Sequence, residues 1–158
     1  MRIGFFAPGG NVESRIKVLG HPLHPMLVVF PVGLLVTSAC VDVFAFWRQM
    51  AALALAQLNI GVGLPIGIIA MSVGWLDWLA IPEKTRAKRI GAIHGVSNML
   101  AIVMFGIVWI MRRGYSMTML PTWLIVVEVA GLLTILFAGW LGGDWSIGSE
   151  WASMEALT

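Results

Sequence analysis

Ionisable side chains are spaced so widely in this sequence that four stretches between them are each long enough to cross a bilayer. Val18 to Val41, Gln49 to Leu76 and Ile90 to Met111 contain no Asp, Glu, Lys or Arg, and Gly114 to Gly143 contains only Glu128. A hydrocarbon core is spanned by about 20 apolar residues in a helix. In lipid a single segment must satisfy its own backbone hydrogen bonds, which a helix does. Helices are therefore expected near 23–46, 52–80, 91–111 and 122–142, with short connections, as an all-α integral membrane four-helix bundle. Residues 1–20 form an N-terminal arm, 21–145 the transmembrane domain and 146–158 a C-terminal tail.

Composition closes off the soluble alternative. With 59% hydrophobic and 11% charged residues, a chain this short has too much surface to hide its apolar side chains from water. The single Cys40 offers neither an intrachain disulfide nor a cysteine cage for zinc or an iron–sulfur cluster. The net charge of +2, with scattered basic residues, argues against a nucleic-acid partner.

Prolines and basic residues orient the spans. Pro22 and Pro25 suit a first helical turn, Pro82 and Pro121 helix ends, while Pro31 and Pro65 fall inside spans. The opening residues lack the apolar run and small-residue cleavage site of a signal peptide, so the arm is expected to be retained. Arg2, Arg15, Lys17, Lys84, Arg86, Lys88 and Arg89 fall on one side of a four-span topology and Arg48, Arg112 and Arg113 on the other. By the positive-inside rule this puts both termini in the cytoplasm of a bacterial inner membrane. Tryptophans near the span ends fit an interfacial belt.

The chain also echoes itself. Gly74-Trp75-Leu76-Asp77-Trp78 resembles Gly139-Trp140-Leu141 followed by Asp144-Trp145, and His24 and His94 each lie early in the preceding helix. The echo suggests two copies of one helical hairpin related by a pseudo-twofold axis along the membrane normal. Chance reuse of interface vocabulary is the alternative.

This topology gathers all three histidines at one membrane face. His21 and His24 open the first helix, His94 begins the third, Asp77 closes the second and Asp144 follows the fourth. A helix N-terminus disfavours imidazolium and leaves a nitrogen lone pair available. Two neutral imidazoles on separate helices can hold a haem iron axially, with the bundle supplying an apolar slot. His24 and His94 are the candidate axial pair, His21 a neighbour of a propionate or water, and Asp77 or Asn98 the group that orients an imidazole. A transition metal ion held by His21, His24, His94 and Asp77 fits the same residues. In the bland alternative the histidines cap helices, Asp77 pairs with Lys84 or Arg86, its favoured reading over that of a ligand, and no cofactor binds. Asp42 and Glu128, costly in lipid, should face inward; Glu128 either carries protons or pairs with Arg112, the pairing being the favoured reading.

Gly20-His21-Pro22-Leu23-His24-Pro25, then Phe30-Pro31, Asp77-Trp78, His94 and Gly139-Trp140-Leu141-Gly142-Gly143 together resemble a family of small bacterial predicted membrane proteins classed as a domain of unknown function. The resemblance runs from Gly20 to Gly148 and implies a four-helix membrane unit. Because some members resemble fusions to a Rieske iron–sulfur domain, it also points by association to electron transfer. The family pattern continues after the Gly-Gly pair with a glutamate and a further histidine; here Asp144 takes the acidic place and no histidine follows. The reading that results is a membrane protein binding haem b or a metal as an electron-transfer subunit, with respiratory or redox subunits or a quinone as partners and room for an oligomer. The alternative is a cofactor-free structural or assembly subunit. No nucleophile-and-base pair marks an enzyme.

Overall fold

The structure, a computed structural model, describes residues 17–19, 21–48, 53–115 and 120–155. The arm before Lys17 and the side chains of Asp144 and Trp145 lie outside the described residues. A minimal antiparallel pairing of Lys17–Val18 (β1) with His21–Pro22 (β2) leads into four helices. These are α1 (Leu23–Arg48), α2 (Leu53–Leu79), α3 (Arg86–Met111) and α4 (Thr122–Glu155), with a single 3-10 turn at Arg112–Gly114. All four carry a stretch long and apolar enough to cross a membrane, and the molecule is an all-α four-helix membrane bundle.

Two boundaries differ from expectation. Helix α3 starts at Arg86 rather than near 91. Thr85, in extended conformation, caps it by accepting a hydrogen bond from the Lys88 backbone N–H at 3.1 Å. Arg and Lys, which read as loop charge, are good helix formers once such a cap exists. Helix α4 runs past Gly142 to Glu155, because a glycine pair weakens a helix without ending it.

Helix α1 packs mainly on α2, and α3 on α4, so the bundle is two antiparallel hairpins. Four buried positions of the two hairpins correspond. Pro31, Leu35, Ser38 and Asp42 are buried on α1; Ala101, Phe105, Val108 and Arg112, each reached by the same step that carries His24 to His94, are buried in the second hairpin. A Cβ on Gly63 would meet Leu34 and Leu35, and one on Gly131 would meet Met104 and Phe105, their counterparts. His24 touches its counterpart His94, and Asp42 touches its counterpart Arg112. Contacts between counterparts near both ends place a pseudo-twofold axis between α1 and α3, along the bundle. The register, however, is not that of the Gly-Trp-Leu echo. Gly142, not Gly139, is the counterpart of Gly74: His94 lies against Gly142, whereas a Cβ on Gly139 would meet nothing within 4 Å.

Between the hairpins sits a core that includes Leu35, Ile60, Phe105, Val108 and Leu124. Many other large apolar side chains face outward, among them Val29, Ile110, Val126 and Trp140. Water would make that exterior prohibitively costly, whereas lipid solvates it.

Candidate functional site

His24 and His94 reach the centre of the bundle by matching routes. His24 Nδ1 lies 2.8 Å from the Ala70 carbonyl on α2, and His94 Nδ1 lies 2.9 Å from the Ala138 carbonyl on α4. A carbonyl oxygen can only accept, so Nδ1 carries the hydrogen in both rings. A neutral imidazole protonated there keeps its lone pair on Nε2. The small residues that admit the rings are Gly74 and Gly142. A Cβ on Gly74 would come within 2.7 Å of His24 Cε1, and one on Gly142 within 3.4 Å of His94 Cε1.

The two rings meet nearly at right angles, with an interplanar angle of 83° and centroids 6.4 Å apart. They stand at the same level although His24 is the second residue of α1 and His94 the ninth of α3. Helix α3 therefore extends about 10 Å further outward than α1 at this end. This corrects the expectation that both rings sit at helix N-termini. His94 is two turns inside α3, beyond the reach of a terminal dipole that fades within one turn.

The pair lines a mostly apolar cavity of about 410 Å³ to which all four helices contribute, with Asp77, Asn98, Trp75 and Trp78 also in its wall. Asn98 is one turn beyond His94, and its Nδ2 lies 2.9 Å from His94 Nε2 and 3.0 Å from the His94 carbonyl. Since Nε2 is the lone-pair nitrogen, Asn98 must present its amide hydrogens there, which settles the orientation of that amide. No hydrogen-bond partner to His24 Nε2 occurs among the described residues.

Of the expected site residues, His24, His94, Asn98 and Asp77 share the cavity. His21 does not line it and is exposed on β2. Among the described residues no three His, Cys, Asp or Glu side chains come together at metal-binding distance, so the three-histidine-and-aspartate set is not assembled. The donor set does suit a single atom between two imidazoles. A metal–imidazole bond is about 2 Å long, and the 6.4 Å centroid separation leaves that room if the nitrogens face each other. Asn98 would have to turn away from His94 Nε2 for this to happen.

A second polar group occupies the far end of the bundle. Asp42 and Arg112 form a buried ion pair, with Arg112 Nη2 donating to Asp42 Oδ1 at 3.0 Å and Nη1 at 2.8 Å from Oδ2. Glu128 does not pair with Arg112 as expected but sits 2.9 Å from Ser38 Oγ. Both acids are 1% exposed, so they do face inward. Ser38 was not legible as a partner, because a lone serine in an apolar span carries no mark of what it faces.

A model of the family described as predicted membrane protein (DUF2231) matches residues 20–150. No curated protein and no solved structure matches the chain. With the family match taking in all of α1 to α3 and most of α4, the chain belongs to the DUF2231 family of predicted membrane proteins.

Proposed function

We propose that this protein is an electron-carrying membrane subunit in which His24 and His94 hold one metal centre, haem b in the first instance and a transition metal ion in the second. The observation that carries the reading is the pairing of two imidazoles whose Nδ1 atoms are tied to backbone carbonyls. Such bonds fix the tautomer and orientation of a ligating histidine and leave Nε2 for the metal. The unpartnered His24 Nε2, the apolar cavity and the ring separation support it further. When bound, a bis-imidazole haem supplies one-electron transfer, its potential set by burial and by hydrogen bonds to the ligands. The chain's own part is to orient the imidazoles, exclude water with apolar walls and gate His94 through Asn98. A quinone or another redox subunit would be the electron partner. The excess of basic residues supports an orientation with the histidine end at the cytoplasmic face of a bacterial inner membrane.

One observation favours a second reading, that of a cofactor-free structural or assembly subunit. His94 already has both ring nitrogens engaged, on Ala138 and Asn98, and each histidine braces its own hairpin. An absorption spectrum of the detergent-purified protein from haem-replete cells, before and after dithionite, separates the two. The proposal expects a reduced-minus-oxidised haem difference that His24→Ala and His94→Ala each abolish and His21→Ala leaves in place. A colourless parent, also free of bound metal by elemental analysis, would leave the bracing role as the account of the pair.

A further inference from the structure

We infer that Glu128 is a proton-binding carboxyl inside the membrane, holding its proton against Ser38 beside the Asp42–Arg112 pair. The site lies far from the histidines: Asp42 is about 27 Å along α1 from His24. It does not depend on any cofactor there.

The geometry of Ser38 carries the inference. Its Oγ is 2.8 Å from the Leu35 carbonyl and 2.9 Å from Glu128 Oε1. A serine hydroxyl has one hydrogen to give and two lone pairs to receive with. If Glu128 is ionised, that hydrogen serves one of these acceptors and the other contact sets oxygen against oxygen. With a proton on Oε1 both contacts become hydrogen bonds. Ser38 donates to Leu35 and Glu128 donates to Ser38.

The surroundings agree. Among the described residues Glu128 Oε2 is fully buried without a hydrogen-bond partner in good geometry, and the Asp42 carboxyl faces it. That is costly for an ionised carboxylate and far cheaper for the carbonyl oxygen of a neutral acid. Helix α1 brings Ser38 and Asp42 toward Glu128, and the end of α3 brings Arg112, which is held to Asp42 by one hydrogen bond and a close charge contact. Asn59, on α2, is buried but not ionisable. Among the described residues the one other buried ionisable side chain is Lys88, clasped to Trp78 at the opposite end of the bundle. The repeat sharpens the contrast. The counterparts of Ser38 and Glu128 are Val108 and Ile60, both fully buried and apolar. One hairpin thus carries a proton site where the other carries plain core.

Infrared spectroscopy of the full chain in lipid tests this. With glutamate carboxyls isotopically labelled, a buried protonated carboxyl band is expected at neutral pH in the parent and absent in Glu128→Gln. The glutamine amide can still donate to Ser38, so that variant should melt with the parent. Dicyclohexylcarbodiimide, which enters membranes and attacks protonated carboxyls, gives a second readout. The acid's proton moves to one reagent nitrogen, the carboxyl oxygen bonds to the central carbon, and the adduct rearranges to an N-acylurea that retains the whole reagent. Mass spectrometry should find this adduct on Glu128, formed more slowly as the pH rises and unaffected by replacing choline with Na⁺. Absence of a Glu128-dependent protonated band overturns the inference, as does an adduct on Asp42 in its place. Specific protection by Na⁺ overturns it too, by showing a metal cation where a proton is claimed.

Discussion

At the scale of single residues, the bundle depends on glycines placed where a neighbour leaves no room for a methyl. Gly61 meets Trp109, Gly74 meets His24 and Gly131 meets Phe105, each at 2.9 Å or less from where a Cβ would stand. The two histidine contacts differ, with 2.7 Å at Gly74 and 3.4 Å at Gly142. His24 is held on the Ala70 carbonyl and cannot retreat without losing that bond. Gly74→Ala should therefore destabilise the folded protein by about 1–3 kcal/mol, the cost of overpacking a tight site. Gly142→Ala should shift the melting temperature far less. Thermal unfolding of both variants in detergent checks the order, and equal losses would contradict the asymmetry between the histidine sites.

At the scale of elements, the joint between α2 and α3 is closed by two residues that serve each other's backbone. Trp78 Nε1 donates to the Lys88 carbonyl at 2.9 Å and Lys88 Nζ donates to the Trp78 carbonyl at 3.1 Å. The ammonium also stands 4.0 Å from the indole centroid and 3.4 Å from Glu83. Trp78 reads in the sequence as a belt residue, yet it turns inward, and Trp109 does the same under Arg113. Trp47, Trp75, Trp123 and Trp140 stay exposed on the outer surface. Replacing Trp78 with Phe keeps an aromatic face and removes the N–H, leaving the Lys88 carbonyl without its donor. The expected loss is about 1 kcal/mol, with faster amide hydrogen exchange confined to the turn between α2 and α3. Faster exchange throughout the bundle would show that the clasp supports more than this joint.

At the scale of the whole molecule, the hairpins are arranged about an axis that brings His24 to His94 at one end and Asp42 to Arg112 at the other. An axis along the bundle keeps the two ends chemically distinct, imidazoles and amide at one, carboxyls and guanidinium at the other. The orientation proposed from the basic residues is open to direct measurement. In a Cys40→Ser background, a cysteine replacing Lys84 should react with a membrane-impermeant maleimide only in inverted vesicles. One replacing Arg113 should react only from the outside of intact spheroplasts. Labelling with the opposite sidedness would reverse the assignment of the histidine face.

The sequence by itself determined the solvent, the number of helices and the end at which His24, His94 and Asp77 gather. Charge spacing against bilayer thickness is a one-dimensional constraint, and alternating spans sort residues to one face or the other. It also marked Asp42 and Glu128 as inward-facing, since an acid in lipid has nowhere else to go. Which groups then meet was decided by tertiary structure. Arg112 chose Asp42 over Glu128, His94 chose Gly142 over Gly139, and His21 stayed outside the cavity. Each choice depends on the rotation and axial shift of one helix against another. In an apolar span those follow from the packing of small and large side chains, and helices apolar on every side carry no stripe from which the rotation could be read.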